Sequence, residues 1–309
     1  MTIRFLVTHS GGFHADELLS SVVLSSLFPK AEIVRSRAVE WITPAPDRLI
    51  YDVGRVYDAG TGVFDHHQTP TPARETGEPF SSFGLIWRHF GREYLCILGI
   101  PADHLDLLFE TFDREFVLPV DLLDNGAVDP SVAGPLLSGL TLPALLEHLK
   151  PVFDARSPDQ DDSAFADALP VARAFVEGRL RHMAADLRAA SIVAEAIQRA
   201  GENRVLELPL GMPYRSAIEA AKADHLLFVI HPREGDWALN GIRLGDDTFA
   251  QRADLPLAWA GLSGPDLEAA SGVPGAQFCH SARFIAVADS REAIMQMAEL
   301  AVAEALQTA

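Results

Sequence analysis

The sequence predicts an α/β protein of two domains: a mainly parallel sheet flanked by helices, then a helical connector, then a smaller C-terminal α/β domain. Three observations predict it. Over the first 135 residues short apolar runs alternate with amphipathic stretches, the pattern of βαβ units around a parallel sheet. From residue 142 to 200 the periodicity becomes helical. Strand-like runs return from residue 204. The expected boundaries are 1–140, 141–202 and 203–309, and a chain of 309 residues gives each outer domain enough length to bury a core.

Taken in order, residues 3–8 read as a first strand that runs into the turn Ser10-Gly11-Gly12. A helix follows over 15–28 and stops at Pro29, which cannot continue it. Residues 32–35 and 49–53 read as the second and third strands, and 56–65 as a hairpin-like passage. Ser81 is placed to cap a helix through residue 90. A further helix near 102–116 leads to the segment 120–124, read as a last strand end or the turn after it. The polar run 157–163 is expected to break the helical region before a long segment, 165–199, rich in Ala, Arg and Glu. Strands are expected at 204–208, 226–230, 237–244 and 277–287, and an amphipathic helix at 290–306. That last helix is apolar enough to pack in the core or against a second copy in a homodimer.

Composition narrows the function. With 48% apolar and 22% charged residues the chain has the balance of a globular protein. No apolar run approaches the roughly 18–20 residues of a membrane span, and the N-terminus lacks a signal h-region, so a cytoplasmic, membrane-free protein is expected. Cys96 and Cys279 read as two buried thiols, not a disulfide, and the lack of a CxxC pair excludes a zinc ribbon. The net charge of −18 and the scatter of the basic residues disfavour a long duplex as partner. A short oligonucleotide, a nucleotide or a small phosphate ester stays compatible.

The chemistry concentrates at the carboxyl ends of the first-half strands, where open α/β sheets bind ligands. The first strand delivers His9, then His14 and Asp16 across a glycine turn. The third delivers Asp52, the next segment Asp65-His66-His67, and the last Asp121 and Asp124. Imidazole and carboxylate without thiolate suit Mn²⁺, Mg²⁺, Fe²⁺ or Zn²⁺. A carboxylate such as Asp52 can bridge two such ions, which together activate water for in-line attack at phosphorus. Each piece alone has a plainer reading, as cap, turn or solvated pair; the set arriving in order on one domain does not.

These residues resemble a known family. Thr8-His9-Ser10-Gly11-Gly12-Phe13-His14-Ala15-Asp16-Glu17, Tyr51-Asp52-Val53-Gly54, Asp65-His66-His67 and Asp124-Asn125-Gly126 are similar to the four motifs of the DHH phosphoesterase superfamily. Phe64 to Gln68, Ser81-Ser82-Phe83-Gly84-Leu85-Ile86, Val120 to Gly126, and Ser271-Gly272-Val273-Pro274-Gly275 ahead of Phe278-Cys279-His280 resemble one branch, the melanocyte-proliferating-gene (MYG) family. The resemblance spans nearly the whole chain. It implies a DHH-type catalytic domain over 1–140, a substrate-binding domain over 203–309, and phosphodiester hydrolysis, as a 3′–5′ exonuclease on short single-stranded RNA. It also implies His9, His14 and Asp52 on one cation and Asp16, Asp52, His66 and Asp124 on the other, with Mn²⁺ expected and Mg²⁺ as the alternative. His67, with Asp65 beside it, would face the scissile phosphate. The wider superfamily carries an aspartate one residue from the position of His14, so this ligand rests on the branch alone.

Substrate contacts are harder to read. His280 approximates a glycine-rich substrate loop of the superfamily, and Arg252 and Arg37 are candidate phosphate contacts. The rival readings are a manganese-dependent pyrophosphatase or nucleotide hydrolase, and a catalytically idle metal- or nucleotide-binding protein.

Overall fold

Strand β1 (Phe5–Thr8) is flanked by parallel partners on both sides, β2 (Glu32–Arg35) and β3 (Arg48–Tyr51). In this computed structural model, which describes residues 2–134, 136–245 and 248–308, a hairpin of β4 (Tyr57–Asp58) and β5 (Val63–Phe64) completes the sheet. The order is β2-β1-β3-β5-β4, parallel except at the β4 edge. Side-chain alternation builds the two faces. Val7, Ile50 and Val63 pack with Phe5, Val34, Trp41 and Ile42 on one side. Tyr51 turns to the other, where its hydroxyl meets Ser21 Oγ of helix α1 (Ala15–Leu27) at 2.6 Å.

Helix α1 is buried continuously from Ala15 to Leu24 because it lies beneath the sheet and packs against α3 (Ser82–Ile97). Helix α2 (Val39–Ile42) is a single turn. Helix α4 (Ala102–Phe112) passes through a π-helical turn, Asp113–Val117, into α5 (Leu118–Asp124). The segment expected as a last strand end is therefore a helix, so Asp124 is presented from a helix C-terminus. Pro119, near the start of α5, is tolerated there because it needs no backbone donor. After α6 (Leu142–Glu147), α7 runs from Pro158 to Ala200 with Pro170 inside it. The polar run 157–163 thus begins this helix and does not interrupt one: Asp159 and Asp161 lie in its first turn, where carboxylates complement the helix dipole.

The chain forms two compact units, Met1–Ala184 and Ala185–Ala309. The second holds a sheet ordered β6-β7-β8-β10-β9: β6 (Val205–Glu207), β7 (Phe228–Pro232), β8 (Trp237–Gly241), β9 (Ala276–Cys279) and β10 (Ile285–Ala288). Only β6 and β7 pair in parallel. Helices α9 (Gly264–Ser271) and α10 (Arg291–Thr308) cover one face; Ile294, Met297, Ala298 and Ala301 of α10 are fully buried there. The last turns of α7 and α8 (Arg215–Ala220) cover the other. Both cysteines are free, and Cys96 is exposed, not buried as expected, because it sits on the outer face of α3. No helix among the described residues is long and apolar enough to cross a membrane.

Candidate metal centre

Parallel pairing of β1 with β3, and of β3 with β5, sends three chain segments off the same edge of the sheet. His9 follows β1, Asp52 follows β3, and Asp65-His66-His67 follow β5. Asp52 adopts φ +53, a left-handed conformation that costs a non-glycine residue about 1–3 kcal/mol and recurs at functional sites. Asp16 comes from the first turn of α1 and Asp124 from the end of α5.

The carboxylate of Asp52 stands at the middle. Its Oδ2 lies 3.2 Å from His9 Nε2, and its Oδ1 lies 3.3 Å from His66 Nε2. Beyond His66, Nε2 is 3.4 Å from Asp124 Oδ2 and 3.8 Å from Asp16 Oδ2. Three groups of ligand-type atoms, each within 4.8 Å of one another, follow: His9, His14, Glu17 and Asp52; Asp52, Asp65, His66 and His67; and Asp16, His66 and Asp124. Asp52 and His66 each belong to two of them. All six residues expected as ligands are brought together here.

The electrostatics are those of a site short of positive charge. Burial and the neighbouring Asp52 and Asp124 push the Asp16 carboxyl well above its usual range. Burial also raises Asp124. Burial works against charge on His9, but its contacts with Asp52 and Glu17 win, and its pKa rises to about 10. Burial likewise opposes the charge on Asp52, which the His66 and His9 imidazoles nevertheless hold down to about 2. Both oxygens of Asp16 are buried with no hydrogen-bond partner. Buried carboxylate oxygens without donors are costly, and a divalent cation is the partner that would satisfy them. The donor set, oxygen and imidazole without sulfur, fits such ions.

Asp65 plays a different part. It accepts from the backbone N–H of Arg55 at 2.6 Å, of His66 at 2.7 Å and of His67 at 3.1 Å, and its Oδ1 lies 2.7 Å from His67 Nδ1. That last bond raises the His67 pKa, and the imidazole is 55% exposed into the adjoining cavities.

Sequence reasoning missed three features. Glu17 is fully buried 3.0 Å from His9 Nε2, and it also accepts the His14 backbone N–H, closing a capping box at the start of α1. Its spacing three residues after His14 was the available signal. Ser81 stands at the N-cap of α3 as expected, but its hydroxyl donates to Asp121 Oδ1 at 2.6 Å and not to the helix. Asp121 also accepts from Gly84 N–H and from Arg74, which grips Asp113 as well. Asp121 is therefore a brace for α5, not a ligand, and nothing in the sequence links it to Arg74. Arg55 lines the cavity that also contains Arg37, His9, Asp52 and His67.

His280 sits in the β9–β10 turn of the second unit, its ring 4.5 Å from that of Phe284. Arg252 directs Nη1 at the carbonyls of Ala223 and Leu226 and Nη2 toward Asp224, so it ties loops of that unit together.

Comparison with known proteins follows the same lines. The profile of an uncharacterised protein family, UPF0160 (MYG1_exonuc), matches residues 5–302. MYG1 exonuclease of Homo sapiens is 30% identical over 324 residues, covering 96% of this chain and 85% of that protein. A MYG1 protein of Schizosaccharomyces pombe is 29% identical over 318 residues, covering 96% and 97%. Among solved structures, exonuclease RecJ bound to manganese is matched over 97% of this chain and 90% of that one at 14% identity and a TM-score of 0.29, a likeness too slight to carry an argument.

Proposed function

The chain belongs to the UPF0160 (MYG1_exonuc) family, and we propose that it is a two-metal phosphoesterase that cuts phosphodiester bonds of short single-stranded RNA or oligonucleotides from the 3′ end. The observation that carries this reading is the Asp52 carboxylate, whose two oxygens face His9 and His66, members of two different ligand groups. His9, His14 and Asp52 would hold one divalent cation, with Glu17 within reach; Asp16, Asp52, His66 and Asp124 would hold the other. Mn²⁺ is the expected ion and Mg²⁺ the alternative. When bound, the pair supplies an activated water and a clamp on the phosphoryl oxygens.

The chain's own groups supply the rest. Asp65 fixes the His67 ring through Nδ1, leaving Nε2 to meet substrate, and keeps the imidazole protonated toward higher pH. A protonated imidazole at that place can donate to the leaving oxygen. Arg37, on the same cavity, is the candidate substrate contact.

A Mn²⁺-dependent assay comparing 5′-labelled short RNA, a cyclic dinucleotide and pyrophosphate tests the reading. A ladder shortening from the 3′ end is expected. Turnover of pyrophosphate alone would replace it with the anhydride hydrolase, and no turnover of any of the three would leave an idle binding protein.

A further inference from the structure

The space beside the metal-type cluster divides into two cavities that have His14 and His67 as common walls. The smaller, of about 300 Å³, is lined by Arg37 and Arg55. The larger, of about 510 Å³, has Val120, Leu123 and Pro143 as apolar wall and Thr71, Asn125 and Glu147 as polar groups, with no lysine or arginine.

The two differ in their arginines. The chain carries 43 acidic residues against 25 basic ones, and other arginines of the first unit, such as Arg35, Arg74 and Arg156, are held by carboxylates. Arg37 and Arg55 are exposed, and neither guanidinium makes an ion pair or hydrogen bond with another described residue. Arg55 is nonetheless placed with care. It adopts φ +56, and its N–H donates to the Asp65 carboxylate that also holds His67. One buried anchor therefore sets both the imidazole and the start of the arginine side chain. In the larger cavity Asn125 commits Nδ2 to the carbonyls of Phe80 and Asp121, leaving only an acceptor, and Glu147 adds a carboxylate. Away from the metal-type cluster, this cavity offers acceptors and no guanidinium, which suits the hydroxyls of a sugar or the amino groups of a base. A guanidinium fork suits phosphate oxygens.

We propose that Arg37 and Arg55 form a subsite for a second phosphate of the substrate, the one next along the strand from the phosphate that is cut, while the arginine-free cavity takes a nucleoside. The proposal rests on the phosphoesterase reading above. It makes the preferred ligand a strand with at least two internucleotide phosphates.

The test is equilibrium binding, by fluorescence anisotropy in Mn²⁺, of non-hydrolysable methylenephosphonate analogues: a trinucleotide with two charged linkages and a dinucleotide with one. Arg37→Ala/Arg55→Ala should weaken the trinucleotide analogue at least tenfold more than the dinucleotide analogue, and Arg37→Lys/Arg55→Lys should recover part of that difference. Equal losses on the two ligands, no loss on either, or failure of the wild-type protein to prefer the trinucleotide would overturn the subsite. The same proteins assayed on an unmodified trinucleotide separate the two claims. Discrimination in binding with no hydrolysis by the wild type sinks the phosphoesterase reading and leaves the subsite standing.

Discussion

At the scale of single residues, Asp52 and His67 are the most exposed to test. Asp52→Asn should abolish binding of at least one cation, read as a fall in Mn²⁺ stoichiometry by calorimetry, because no other carboxylate among the described residues contacts both His9 and His66. His67→Ala should lower kcat by about 10²–10⁴-fold with the cations still bound, the range for losing a general acid. Asp65→Asn should cost about 10–100-fold, as loss of a group that orients another does. The pH dependence has a definite sign. His9 and Asp16 have pKa values raised in the cation-free protein, so they carry protons that a cation must displace. Mn²⁺ affinity should therefore rise with pH, with proton release seen in buffers of different ionisation enthalpy; affinity flat between pH 6 and 8 would contradict this charge state.

At the scale of elements, the question is what holds α5 so that Asp124 meets His66. Asp121 is fully buried and shared by Ser81, Gly84 N–H and Arg74. A Cβ on Gly84 would stand 2.1 Å from Asp121 Oδ2 and 2.7 Å from a Phe80 ring carbon, so Gly84 is required by that close approach. Asp121→Ala leaves the Arg74 guanidinium in a mostly buried position with half its partners gone. It should destabilise the protein by about 3–5 kcal/mol in denaturant unfolding, the cost of breaking a buried pair on one side. Gly84→Ala should cost about 1–3 kcal/mol by overpacking. A wild-type midpoint for either variant would mean that this network does not support the helix.

At the scale of the whole molecule, the charge of −18 limits what the protein can grip. Few phosphate contacts mean few counterions released, so binding of short single-stranded RNA should depend weakly on salt. A slope of roughly −1 to −2 in log K against log[salt] is expected from about −0.7 per phosphate for single strands. A steep slope, or tight retention of long duplex at moderate salt, would contradict this reading of the charge.

Much of this protein was legible in its sequence because the signals were local. Strand ends followed by His9, Asp52 and Asp65-His66-His67 can be read from apolar runs and the polar residues that stop them, and parallel pairing then brings those ends together. The helical identity of 118–124 was not legible: a short apolar run before a carboxylate reads equally as strand or helix, and contacts with α1 and α3 decided between them. Nor was the division of labour among the acids. Asp16, Asp65, Asp121 and Asp124 are one residue type in the sequence. Tertiary structure alone leaves both oxygens of Asp16 without donors, surrounds Asp65 with backbone N–H groups and gives Asp121 to Arg74, because a carboxylate's role depends on which donors surround it once the chain has folded.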